Sequence, residues 1–143
     1  MRIFRLSLLL SLSLMFAVQC YGQDETSVDF DAFIAELNAQ CPILDGDNWS
    51  INSFTASGDT AYVELLVPNN LKMFLSMLTS NTDNVRRLWL QQLSHYGDNW
   101  NHFIDQLVAT RRMLILTVLP KDTDESATIK FTADQLQRYV EDK

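Results

Sequence analysis

The stretch RMLILTVLP, residues 112–120, constrains this chain more than any other. Beyond Arg112 it is apolar except for Thr117, and it shows no alternation. A run of that length, ended by Pro120, reads as a central strand covered on both faces. The rest of the chain must therefore supply strands beside it and helices above it.

The strands come in pairs. "NWSINSFTASGDTAYVELLVP" reads as a hairpin, with Trp49 to Thr55 as one arm. In the other arm Ala61, Val63, Leu65 and Val67 alternate with Tyr62, Glu64 and Leu66. Ser57-Gly58-Asp59 makes the turn, where Gly58 can take a positive φ. After the polar loop KDTDES, Ala127, Ile129 and Phe131 alternate with Thr128 and Lys130 in a second partner for the apolar run.

Helical spacing fills the remainder. Phe30, Phe33, Ile34, Leu37 and Cys41 form one stripe, capped by Ser27 or Asp29 and stopped by Pro42, with Asp31, Glu36 and Asn38 toward water. Leu71, Phe74, Leu75 and Leu78 mark a second helix. Met73 and Met77 lie beside that stripe, so this helix is apolar nearly all round and is either buried or faces a partner. Val85, Leu88, Trp89, Leu93 and Tyr96 mark a third, capped by Thr82 or Asp83. Trp100, Phe103, Ile104, Leu107 and Val108 mark a fourth, capped by Asp98 or Asn99, with Arg111 and Arg112 at its C-terminal end. Thr132 and Gln135 form a capping box for a last helix, whose Leu136, Tyr139 and Val140 face inward. The order α-ββ-ααα-ββ-α predicts an α+β domain, an antiparallel sheet of about four strands with helices mainly on one face.

Gly-Asp-Asn-Trp occurs twice, around Asp47 and Asp98. The elements that follow the two copies differ, so this is one turn chemistry used twice and not a duplicated unit.

The start, MRIFRLSLLLSLSLMFAVQCYGQ, has a basic end, an apolar run and small residues at Cys20 and Gly22, the layout of a secretory leader. The run is shorter than the roughly 20 residues a membrane span needs. Cleavage after Gly22 or Gln23 is expected, leaving residues 23–143 as a single periplasmic or extracellular domain with no transmembrane segment. Cys20 raises a lipoprotein alternative, against which Gln19 argues because lipoprotein processing favours a small residue there. Arg2 and Arg5 leave with the leader, so eleven Lys/Arg fall to nine against eighteen Asp/Glu, a mature charge of −9. Such a surface repels phosphate backbones and argues against nucleic acid as a partner.

The segment LNAQCPILDGDNWSINSFTASGDTAYVELLVP resembles a group of small, uncharacterised exported proteins of Gram-negative bacteria. They share a helix ending in Asn-x-x-Cys-Pro, a Gly-containing turn and a hairpin. The matching residues are Asn38, Cys41, Pro42, Gly46, Trp49 and Tyr62. The resemblance implies export and an α+β fold and transfers no activity.

Chemical signatures are few. After cleavage Cys41 has no intramolecular partner; it reads as a buried small hydrophobe, with pairing between chains or a reactive nucleophile as the other readings, the latter lacking a base in the local sequence. The oxygen-rich Asp45–Asn48 stretch lacks a calcium loop's closing glutamate, whose place Ala56 takes. His95 and His102 stand seven apart with Gly97 between them, which does not set a zinc site, and no metal or cofactor is expected. Glu36, Glu64 and Asp105 leave room for a small hydrolase working through paired carboxylates. The favoured expectation is a non-enzymatic exported module that binds a protein partner or itself, through an exposed patch at Met73, Met77 and Trp89.

Overall fold

The computed structural model describes residues 25–143 apart from Asp47. The leader reading for residues 1–22 and the lipidation alternative at Cys20 lie outside the described residues. Two compact units divide the chain, Met1–Ala32 and Phe33–Lys143. Of the first, the helical residues from Glu25 are described. The second carries the sheet and every site discussed below.

Helix α1 (Glu25–Ala39) starts ahead of the expected caps and ends before Pro42, which follows Cys41 through a cis bond. Strands β1 (Ile43–Asp45), β2 (Trp49–Ser57) and β3 (Thr60–Val67) form two successive hairpins. Gly46 and Gly58, both at positive φ, turn them. The short edge strand β1 was not expected from sequence, since three residues carry no alternation to read. The first Gly-Asp-Asn-Trp therefore begins at Gly46, in the turn between β1 and β2.

A 3-10 helix (Asn69–Phe74) and helix α2 (Leu75–Leu78) follow in place of one continuous helix over 71–78. Helix α3 (Asp83–Leu93) is capped by Thr82, whose hydroxyl accepts the Val85 N–H at 3.3 Å. A 3-10 turn (Ser94–Tyr96) leads to Gly97 and helix α4 (Asp98–Ala109). No side chain caps α4: Gly97 holds the cap position at φ 92, so Asp98 and Asn99 fall inside the helix rather than before it. Strands β4 (Met113–Pro120) and β5 (Ala127–Phe131) and helix α5 (Ala133–Glu141) complete the chain. The Thr132–Gln135 capping box of α5 is present in full.

The sheet has five strands in the order β1-β2-β3-β4-β5, and it is mixed rather than antiparallel. β3 and β4 run parallel over their whole length, from Thr60 opposite Met113 to Val67 opposite Pro120. The reason lies in the connection. Tight turns force antiparallel neighbours, but the helical excursion between β3 and β4 carries the chain back to the end of the sheet where β3 began.

One face of the sheet is buried. Phe54, Ala61, Val63, Leu65, Leu114, Leu116, Val118, Ile129 and Phe131 share it. Helix α4 packs there through Trp100 and Phe103, whose rings stand 6.4 and 5.1 Å from that of Phe54. A β-bulge between Ile51 and Ser53 lets Ile51 and Phe54 both point inward. The side-chain oxygen of Asn38 accepts the Phe54 N–H at 3.0 Å, so this residue docks α1 onto β2 instead of facing only water.

The other face is half-exposed, which corrects the expectation for β4. Leu114, Leu116 and Val118 are buried, whereas Met113, Ile115, Thr117 and Leu119 are each partly accessible. A strand paired along both edges needs β-formers at every position, but only alternate positions meet the helices.

Candidate functional site

The turn that leaves β3 builds an apolar surface. Pro68 accepts the Leu71 N–H through its carbonyl and starts the 3-10 helix. Leu75 is the buried anchor of the short α2 that follows, and the Thr79 hydroxyl donates to its carbonyl at 2.6 Å. Lys72 reaches Glu125 of the β4–β5 loop at 3.4 Å, a contact both partners share with water. The rest of this turn has few inward positions to fill, so its apolar side chains point out. Met73 is 87% exposed and Met77 62%, values that leave almost no intramolecular role for either side chain. Phe74 is exposed with them.

Beside this turn runs a groove of about 300 Å³, lined by Trp49, Leu71, Leu78, Val85, Leu88 and Trp89, with Gln92 as its polar member. Trp89 is only 5% exposed, so it forms the groove's floor and is not part of an exposed patch with Met73 and Met77. Its indole N–H donates to the Leu78 carbonyl, tying α3 to the end of α2. The Trp49 ring lies 6.3 Å from it. Leu88, expected to face inward, is 63% exposed, and Leu90 takes the buried position in its stead. Sequence spacing found the apolar residues of α3 but misassigned this pair. The stripe is two helical faces, one toward the sheet and one toward the groove.

The start of α3 is fixed to the sheet edge. Asn81 accepts the Lys130 N–H at 3.2 Å through its side-chain oxygen, and Arg86 Nε–H donates to the Lys130 carbonyl at 2.6 Å. These bonds occupy backbone groups of β5, an edge strand, and hold the groove's far wall in place.

The remaining candidates sit apart. His95 contacts the Gln92 carbonyl at 3.0 Å, and His102 meets the Phe33 ring edge-on at 5.1 Å. Among the described residues no group of three or more His, Cys, Asp or Glu side chains is gathered as a metal ligand set. Glu36, Glu64 and Asp105 are exposed on α1, β3 and α4 respectively, and none of them lines the groove. Asp83 and Asp142 share a cleft between α3 and α5, but each faces an arginine: Asp83 lies 3.4 Å from Arg86 and Asp142 lies 3.1 Å from Arg87. Cys41 is half-buried, its thiol directed at the Leu37 carbonyl at 3.6 Å. Burial pushes that thiol up from its ordinary value, away from thiolate reactivity. Arg111 and Arg112 do not turn their side chains back on α4. Arg111 reaches Asp134 at 2.7 Å, and Arg112 donates to the Gly58 carbonyl.

A second hollow, of about 50 Å³, lies between the end of α1, β2 and the start of α4. Tyr96 and Trp100 both line it, and neither the Tyr96 hydroxyl nor the Trp100 N–H has a partner among the described residues. Nothing in the residue spacing signals it.

The chain matches no protein-family model. No curated protein sequence matches it either. It is similar to the crystal structure of a candidate secreted protein from Pseudomonas aeruginosa, with a TM-score of 0.51 and 17% identity, covering 80% of this chain and 99% of that one. At that identity the likeness shows the fold alone. No helix among the described residues is long and apolar enough to cross a membrane.

Proposed function

We propose that this is an exported, non-enzymatic binding module. It takes an apolar segment of a partner polypeptide in the groove between the β3–α2 turn and α3. The observation that carries the reading is the pairing of that groove, which exposed Leu88 lines, with Met73 and Met77, large apolar side chains left in water on the same turn that supplies its lining residues Leu71 and Leu78. Covering one such side chain is worth about 1.5–3 kcal/mol, so a partner seated across several gains more than the fold does by leaving them out. Methionine's flexible thioether suits a surface that adapts to its occupant. A hetero partner is favoured over a second copy because a mature charge of −9 repels itself. Export is supported by the leader-like start and by the description of the Pseudomonas aeruginosa neighbour. Intact mass of the exported protein distinguishes cleavage after Gly22 or Gln23 from lipidation at Cys20.

Selection from a random peptide library on the purified exported protein tests the groove. The expected winners carry two or more large apolar residues, quench or shift the fluorescence of Trp49 and Trp89, and lose binding in a Met73→Glu/Met77→Glu/Leu88→Glu variant that unfolds at the native midpoint. Peptides that bind the triple variant equally well would place the recognition surface elsewhere.

A further inference from the structure

Helix α3 has a second flank, and it is cationic. The cleft between α3 and α5 measures about 190 Å³ and contains Arg86, Arg87 and Arg138. It adjoins a shallower hollow of about 260 Å³, which shares Arg87 and Asp142 with it and adds Lys143. Four of the nine lysines and arginines beyond residue 23 thus line one continuous surface, in a chain whose net charge is −7. An even scatter over an acidic protein does not produce that concentration.

The three guanidinium groups differ in what they have left to give. Arg86 is committed: its Nε–H goes to the Lys130 carbonyl, and its terminal nitrogens lie 3.4 Å from Asp83 and 3.4 Å from Asn81. It serves the architecture. Arg87 makes a single contact, to Asp142 at 3.1 Å, with both side chains more than half in solvent. An ion pair so exposed is weak and exchanges readily for a better partner. The Arg138 carbonyl accepts the Asp142 N–H, but its guanidinium has no hydrogen bond or ion pair among the described residues, and it stands in the same cleft. Two arginine forks with spare donors therefore converge over a floor of Leu90 and Phe131, both buried. Apolar ground beneath a charge lowers the local dielectric and strengthens any charge-assisted bond made there.

We propose that this cleft binds a small molecule through a carboxylate or phosphate group held by Arg87 and Arg138, with the incoming oxyanion displacing Asp142 from Arg87. The planar fork of arginine matches both oxyanions and discriminates against spherical halide. The site lies on the opposite flank of α3 from the apolar groove and does not depend on it.

Titration of the intact exported protein with citrate and with inorganic phosphate, each against sodium chloride at equal ionic strength, tests the proposal. Amide shifts followed by NMR are expected to saturate at residues of α3 and α5 with at least one oxyanion and not with chloride. Saturation by citrate alone assigns a carboxylate, and saturation by phosphate assigns a phosphate group. Arg138→Gln is expected to weaken binding about tenfold, the scale of one lost charge-assisted bond. Arg111→Gln removes the same charge from a side chain that bonds Asp134 and Gln137 of α5 without lining the cleft, and it is expected to leave affinity unchanged. The proposal is overturned if shifts stay linear to roughly 10 mM, far weaker than a built site gives, or if both substitutions weaken binding equally.

Discussion

Tyr96 is the residue whose chemistry departs furthest from its ordinary range. Burial first, and Asp45 second, push its phenol up to about 12. The folded state therefore holds the proton more tightly than the unfolded chain, whose phenol titrates near 10. The sign follows from linkage: this contribution to stability is whole below about pH 10 and is lost as pH rises toward 12. Urea unfolding at pH 8 and pH 11 should show that loss, and Tyr96→Phe should remove part of it. Because the hydroxyl lacks a partner among the described residues, Tyr96→Phe at pH 7 is expected to leave stability unchanged or raise it by up to about 1 kcal/mol. A loss of that size instead would mean the hydroxyl is satisfied. Residues of this kind are invisible in sequence, because nothing in the spacing of Tyr96 and Trp100 says that both line one small hollow and bury their polar atoms without a partner among the described residues. The Thr132–Gln135 capping box was legible, since it depends on a fixed offset along one helix. Thr132→Ala should cost about 1 kcal/mol in thermal or chemical unfolding. The exposure of Met73 and Met77 was half legible. The pattern showed a turn apolar all round but not which side chains the sheet would leave out.

Among the elements, the segment from Asn69 to Leu78 separates buried from exposed apolar side chains most sharply. Leu75 is buried and anchors it, while the side chains of Met73 and Met77 are largely exposed. Leu75→Ala is expected to destabilise the protein by about 2–5 kcal/mol, whereas Met73→Ser and Met77→Ser should each stay within about 0.5 kcal/mol. Equal losses from all three would mean the methionines belong to the core. Helix α3 divides its faces likewise: Trp89, Leu90 and Leu93 are buried, Leu88 meets the groove, and Arg87 meets the cationic cleft. Helical period predicts that such faces exist. It does not rank them, and so Leu88 and Leu90 exchanged roles. The apolar run of β4 failed as a guide for a related reason. Without alternation, a strand buried on one face reads the same as one buried on two.

At the scale of the molecule, the α+β class, two of the three hairpin pairings and the last helix were readable because each rests on contacts close in sequence. The parallel β3–β4 pair was not, since it is decided by where a long helical connection returns. That pair is the centre of the sheet, so hydrogen exchange should be slowest in Ala61–Leu66 and Leu114–Leu119 and fastest in the three-residue edge strand β1. Under the proposed function, the fold is a scaffold that leaves a rim of exposed apolar side chains, Met73 and Met77 among them, for another polypeptide. Methionine oxidation by dilute peroxide reads that rim directly, comparing the protein in its native exported fraction with the same protein purified. Met73 and Met77 should oxidise quickly when purified and be protected several-fold in the native fraction, while the half-buried Met113 reacts alike in both. If Met73 and Met77 oxidise at the same rate in both preparations, the rim has no occupant and the binding reading is wrong.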